Sequence, residues 1–328
     1  MNSSLADTFA CWCGSKELAE FSSHYRRCKD CGTLVRHPRE SDEFYTVRED
    51  AKDFYGKEYW RISRTIEGFE LPDIFKRSRI DLTERCLYWL THILRYKKPP
   101  GKSLEVGCAH GGFVMLMKMA GFDPVGCELS PWVVNYASNT FNVPILCGRI
   151  EELTLEPSSH DCILLLDVLE HLPNPNESLR IISSLMKPDG ILVIQTPHFR
   201  DEHLTYEQMR ASQHIFLQMM KTPGHLFLFT ERGLRQLLSG TQLHHIALEP
   251  ALFPYDMFVF AGKEPLEKSS QDAVDEQLLK SPHGRVLVAL LDLFQKLRRA
   301  EAELAARLEV IQTLERRAQR PWRRIWRR

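Results

Sequence analysis

The sequence predicts an α/β fold: a doubly wound, mostly parallel seven-stranded sheet whose last strand runs antiparallel. Three observations carry this. Between Lys102 and Gly262, short apolar runs alternate with helical patterns, as βαβ units do. At Leu104-Glu105-Val106-Gly107-Cys108-Ala109-His110-Gly111-Gly112-Phe113, small residues gather where a strand turns into a helix. Finally, the runs 242–248 and 256–262 are joined only by a turn around Pro254. A parallel crossover needs about a dozen residues, so these two must pair antiparallel.

Taken in order, strands are expected at 102–106, 123–127, 144–147, 161–166 and 190–195, with helices near 112–120, 131–140 and 176–187. A polar insertion, 199–222, precedes a helix at 231–239 and the two closing strands. Ahead of the sheet lies a Cys-rich unit with little helical period. An aromatic, charged stretch follows (Phe54-Tyr55-Gly56-Lys57-Glu58-Tyr59-Trp60), then a helix from about Pro72 to Tyr96, stopped by Pro99-Pro100-Gly101. The division expected is a Cys-rich, zinc-ribbon-like unit (1–40), a helical lid or connector (41–100), the ligand-binding domain (101–263), a polar linker (264–283), and an amphipathic helix with a basic tail (284–328).

The 328 residues, at about 150 per domain, provide ample chain for a core. Hydrophobic residues at 43% and charged residues at 26% exclude wholesale disorder. The 43 basic and 43 acidic side chains cancel, which argues against a protein built around a polyanion. From Ser281 onward, however, 12 basic residues face 5 acidic ones, so the remainder is net acidic. The first residues lack a basic, then apolar, leader, and no apolar run approaches the ~20 residues of a membrane span. A cytoplasmic chain with reduced cysteines is expected.

Gly107, Ala109 and Gly112 fit a relaxed dinucleotide fingerprint, and Glu128 follows about 20 residues on, where it can accept bonds from ribose hydroxyls. A nicotinamide-dependent oxidoreductase is therefore one reading. Glu105 argues for a different nucleoside: a carboxylate just before the first glycine suits a ligand with an ammonium group. The fourth strand then runs into Asp167-Val168-Leu169-Glu170-His171-Leu172-Pro173, and Leu185-Met186-Lys187-Pro188-Asp189-Gly190 precedes the fifth.

With these motifs, residues 102–262 resemble the class I S-adenosylmethionine-dependent methyltransferases, in the small-molecule branch that includes quinone and sugar methyltransferases. The resemblance implies that Glu105, Gly107, Ala109 and Gly111 line the methionine end of the cofactor. It implies that Glu128 with Leu129 meets the ribose, that Ile150 and Glu151 border the adenine, and that Asp167 closes the pocket. Ala109 stands where the family's middle glycine is usual, and Arg149 where an acidic residue often meets the adenine amine.

If the acceptor is a hydroxyl or an acidic carbon, a base titrating near neutrality is needed, and histidine is the usual choice. His171, His198, His214 and His225 are the candidates. The resemblance favours His225, which precedes an aromatic run as in related sugar methyltransferases; His171 follows Asp167 by four residues.

Cys11-Trp12-Cys13-Gly14 and Cys28-Lys29-Asp30-Cys31-Gly32 form two Cys-Gly turns. Four thiolates on two such knuckles close a tetrahedral, structural zinc site, although the first pair is one residue short of the usual spacing. Sugar methyltransferases of this class carry a similar Cys-rich start, which implies a nucleotide-linked sugar or surface glycan as acceptor.

From 290 to 314 apolar residues recur at three and four: Leu290, Leu293, Leu297, Ala300, Leu304, Leu308, Ile311 and Leu314. This coiled-coil-like seam implies self-association or a partner helix. The Arg- and Trp-rich tail beyond suits peripheral contact with the inner face of an anionic membrane. An RNA methyltransferase using the Cys unit and this tail is the remaining alternative, opposed by the acidic body.

Overall fold

The computed structural model describes residues 10–66 and 69–318. It opens with an antiparallel meander, β1 (Leu18–Ser22), β2 (Tyr25–Cys28) and β3 (Leu34–Arg36). A short helix α1 (Lys57–Arg61) and the hairpin β4 (Arg64–Ile66) and β5 (Phe69–Leu71) lead to the long helical segment. The expected single helix is interrupted. From α2 (Ile74–Asp81), capped by Asp73 accepting from the Lys76 N–H, the chain passes through one π turn at Leu82–Cys86 into α3 (Leu87–Tyr96). The wider turn re-aims the stripe, so Leu87, Leu90, Ile93 and Leu94 are buried while Phe75 is exposed.

The central sheet follows as β6 (Lys102–Val106), α4 (Gly112–Ala120), β7 (Asp123–Glu128), α5 (Pro131–Phe141), β8 (Ile145–Cys147), β9 (His160–Leu166), α6 (Pro175–Leu185) and β10 (Met186–Pro197). Then come α7 (Tyr206–Ala211), β11 (Phe227–Leu228), α8 (Glu231–Ser239), β12 (His245–Glu249) and β13 (Asp256–Gly262). The chain closes with α9 (Gln271–Leu278) and α10 (Pro282–Ala318). The sheet order is β12-β13-β10-β9-β6-β7-β8. Only β13 runs against the rest; it pairs antiparallel with both β10 and β12, as the short connection at Pro254 requires.

Every residue of β9 and β13 is buried, as expected of strands covered on both faces. Alternate side chains feed two cores. Leu104, Ile163, Leu165, Leu192 and Ile194 pack with α6 and α8 on one face. Leu164, Val193, Phe258 and Phe260 pack with α3, α4, α9 and α10 on the other.

Two segments differ from their sequence reading. The insertion read as polar builds a core of its own: Phe199, Met209, Phe216 and Met220 are buried with Tyr25 and Leu34 of the Cys-rich unit. The stretch read as a linker contains α9, whose Val274 and Leu278 are buried in the second core. In α9 the two apolar residues four apart are masked by polar neighbours, and in the insertion the four are scattered over a loop and two short helical turns, so no single period marks them. The basic tail expected at the C-terminus lies beyond the described residues. Among these, no helix is long and apolar enough to cross a membrane.

Candidate active site

A cavity of about 260 Å³ opens at the C-terminal ends of β6, β7 and β9, where an open α/β sheet places its ligand. Its wall includes Glu105, Gly107, Ala109, Glu128, Leu129, Ile150, Glu151, Asp167 and His171. Gly107 adopts φ +69°, and a Cβ there would lie 2.7 Å from Val168 Cγ2, so the first turn of the loop requires glycine twice over. Ala109 adopts φ +46°, a left-handed conformation that costs a side-chain-bearing residue about 1 kcal/mol. Ala109→Gly should relieve this and raise Tm by roughly 2 °C. An unchanged or lower Tm in thermal unfolding would show that the methyl group's contacts outweigh the strain.

Glu105 is buried, and among the described residues its Oε2 is one of the few enclosed polar atoms without a hydrogen-bond partner. Burial, and then the neighbouring Glu128, push its carboxyl well above the usual range. Glu128 is buried too, but the loop itself holds it: Oε2 accepts from the Ala109 N–H at 3.0 Å and Oε1 from the Leu129 N–H at 2.7 Å. Asp167, in the left-handed region at φ +60°, accepts from the Gln195 amide at 2.8 Å and from Arg85 at 3.1 Å. One unsatisfied carboxylate oxygen therefore faces the cavity beside two carboxylates already oriented. This donor-hungry set fits a ligand bearing an ammonium group and vicinal hydroxyls.

At the far end Glu151 accepts from the Ser178 hydroxyl and faces Arg149 Nε at 3.3 Å. The arginine thus pairs with the acidic residue two positions on. Gly111 lies off the cavity wall. As the N-cap of α4 at φ +77°, it packs against Ala137 and Val143, where a Cβ would lie 3.0 Å from Ala137 Cβ.

Tyr45, Tyr55, Tyr59 and Trp60 form an aromatic side of the cavity. His171 Nδ1 lies 2.8 Å from the Gly224 carbonyl and 2.9 Å from Tyr55 Oη. A carbonyl only accepts, which assigns the proton to Nδ1 and leaves the lone pair on Nε2, 3.8 Å from the buried Glu170 carboxyl. His225 does not line the cavity. It stands behind His171, ring centroids 4.8 Å apart, with its Nδ1 2.6 Å from the Met219 carbonyl, which assigns the same tautomer. Burial lowers the pKa of both, so both imidazoles are neutral at pH 7. The other two histidines lie elsewhere. His198 bridges to Phe229, with its N–H bonded to the Tyr255 carbonyl, while His214 pairs with Asp201 at 3.2 Å and caps the turn at Ile215.

Sequence reasoning missed the group on α2 and its π turn. Asp81 is buried and receives His110 Nε2 at 3.2 Å, Arg77 at 3.1 Å and Arg85 at 3.9 Å. Burial alone would raise its carboxyl, but the His110 bond and the two guanidinium groups hold it down at about 2. Arg77, Asp81 and Arg85 recur every four residues, a charge ladder readable in the sequence. Its inward direction depends on the π turn and was not readable.

In the N-terminal unit the Sγ atoms of Cys11 and Cys31 lie 3.5 Å apart and those of Cys13 and Cys28 3.6 Å apart, all four within 4.8 Å of one another. A tetrahedron with Zn–S of about 2.3 Å has edges of about 3.8 Å, so the four sulfurs are spaced for zinc despite the shortened first pair. This unit is continuous with the His225 segment. Strand β3 pairs with β11, Tyr25 Oη donates to the His225 carbonyl at 2.9 Å, and Thr230 Oγ1 donates to the Cys31 carbonyl at 2.8 Å.

A family model described as a methyltransferase domain matches residues 78–248, more than half of the chain. The ubiquinone biosynthesis O-methyltransferase of Coxiella burnetii is 26% identical over 160 residues, which cover 44% of this chain and 68% of that protein. The enzyme of the same name from Xanthomonas campestris pv. campestris is 31% identical over 108 residues, 31% of this chain and 45% of the relative. Among solved structures, magnesium protoporphyrin IX methyltransferase from Synechocystis PCC 6803 aligns with 60% of this chain and 90% of its own, at 16% identity and a TM-score of 0.43. With the seven-stranded sheet and the carboxylate-lined loop in place, the family match shows that the chain belongs to the methyltransferase-domain family and is a class I S-adenosylmethionine-dependent methyltransferase.

Proposed function

We propose that this methyltransferase acts on a sugar, either nucleotide-linked or within a surface glycan, and methylates it at oxygen or carbon with His171 as its proton acceptor and His225 packed behind it as a supporting ring. The observation that carries the reading is the pair of neutral imidazoles, each with Nδ1–H anchored on a backbone carbonyl, beside the aromatic side of the cavity. Tyr55, Tyr59 and Trp60 provide flat faces for the C–H surface of a sugar ring, and the phenols provide hydroxyls for its polar edge.

In this reading Glu105 takes the ammonium group of the cofactor, while Glu128 and Leu129 hold the ribose. Ile150 and Glu151 border the adenine, Gly107 and Ala109 shape the loop, and Asp167 closes the pocket. The bound sulfonium supplies an electrophilic methyl group. The protein's tasks are alignment, exclusion of water and removal of one proton. The acceptor's O–H or C–H proton passes to Nε2 of His171, which stands 3.8 Å from the buried Glu170 carboxyl, and His225 packs behind the ring. Zinc on Cys11, Cys13, Cys28 and Cys31 is structural, since cysteine fills all four positions.

His171→Ala and His225→Ala should each lower turnover about 100-fold while leaving cofactor affinity within about twofold. Equal loss of turnover and affinity would show that the two rings only hold the fold. Incubation with labelled cofactor and cell extract, followed by mass spectrometry, tests the acceptor. A labelled sugar or glycan supports the proposal. A labelled phenol or quinone favours the second reading, prompted by the names of the relatives.

A further inference from the structure

Helix α10 has two unlike halves. Near its start Leu287, Leu291 and Phe294 are buried in the core formed with α3, α4 and α9. From Lys296 to Arg316 every side chain is exposed, a length of about 31 Å at 1.5 Å per residue. A fully solvated helix of this size is marginal in water, because its stability normally comes from packing one face. Yet α10 as a whole carries nine of the fourteen exposed large apolar side chains among the described residues, six of them in this segment. They are not scattered. Leu290, Leu297, Leu304 and Ile311 recur every seven residues, interleaved with Leu293, Ala300, Arg307 and Leu314, a heptad seam that is apolar at every position but Arg307.

We infer that this half of α10 pairs with the same segment of a second copy, as a parallel, in-register, two-stranded coiled coil. The flanking charges select the occupant and its direction. Lys296 immediately precedes one seam position and Glu301 immediately follows another, five residues on. In a parallel pair in register these two positions face each other across the seam, so Lys296 of each copy meets the partner's Glu301, twice by symmetry. An antiparallel overlap of the same seam, centred near residue 302, would instead bring Glu301 to the partner's Glu301 and Glu303 to the partner's Glu303.

Arg307 selects the number of strands. It is the one charged residue on the seam, and its guanidinium reaches back to Glu303 at 3.7 Å. In a two-stranded coil its stem lies along the partner while the charge stays at the open flank. A three- or four-stranded core would enclose it.

Light scattering on the 328-residue chain should give twice the chain mass of 38.1 kDa. Leu297→Glu combined with Leu304→Glu should give a single chain with cofactor affinity unchanged. Lys296→Glu should weaken the dimer about tenfold, and adding Glu301→Lys should restore it. For direction, Ile311→Cys in a Cys147→Ser background should form an inter-chain disulfide under mild oxidation, since only a parallel register sets the two copies of this position side by side. A wild-type protein that is monomeric at tens of micromolar, or trimeric, overturns the inference. So does a dimer in which the Ile311→Cys crosslink fails.

Discussion

Glu105→Ala should weaken cofactor binding about 100-fold, roughly 2.7 kcal/mol, with the fold intact by circular dichroism. The carboxylate is buried, one oxygen lacks any partner, and it lies where an ammonium group would complete it. The variant removes the pairing without opening a large void. The pH dependence provides a separate check. Because burial and Glu128 raise the Glu105 carboxyl, it holds its proton in the free protein at pH values where an exposed glutamate is ionised. A cationic ligand must displace that proton, so affinity rises with pH as Glu105 ionises, then falls once the ligand's α-amine deprotonates, near pH 8. In Glu105→Ala the rising limb should be missing. Calorimetry across pH decides it; wild-type-like affinity in the variant would remove Glu105 from the binding site.

The second large effect concerns a residue set outside the cavity. Removing the proposed zinc, by chelation or by Cys28→Ser, should lower turnover tenfold or more while cofactor affinity changes less than about threefold. The argument is connectivity. The Cys31 carbonyl, Tyr25 and the β3 edge all bond to the segment 225–230 that follows the Gly224 carbonyl on which His171 rests. Loosening the knuckles therefore loosens the histidine pair, while the Glu105 and Glu128 loop on β6 and β7 is untouched. Elemental analysis should find one zinc per chain. No zinc in protein purified without chelator, or cofactor affinity that falls in step with turnover, would defeat the proposal.

Legibility followed the range of the interactions. The strands and helices of the central sheet were readable because each combines a local period with a local stop: Ser130 caps α5 from the position before Pro131, and Gly121 ends α4 in the left-handed region. Glu105 and Glu128 stood out because one lies two residues before the loop's first glycine and the other follows about 20 residues on, within one βαβ unit. For Gly111 the sequence could not say whether a loop glycine serves ligand approach or helix packing, because its contact with Ala137 comes from a different helix. The small core of Phe199, Met209, Phe216 and Met220 escaped notice because its partners, Tyr25 and Leu34, lie more than 160 residues away in sequence.

By itself the sequence determined the sheet, the small-residue turn before α4, the carboxylates at the strand ends, the paired Cys-Gly knuckles and the heptads of α10, since each depends on neighbours a few residues apart. The tertiary structure alone decided that the cysteine unit and the His225 segment are one body, that His171 rather than His225 reaches the cavity, and that the π turn aims Asp81 and Arg85 inward. Those outcomes depend on which distant surfaces meet, and no period along the chain encodes a contact between residues 25 and 225.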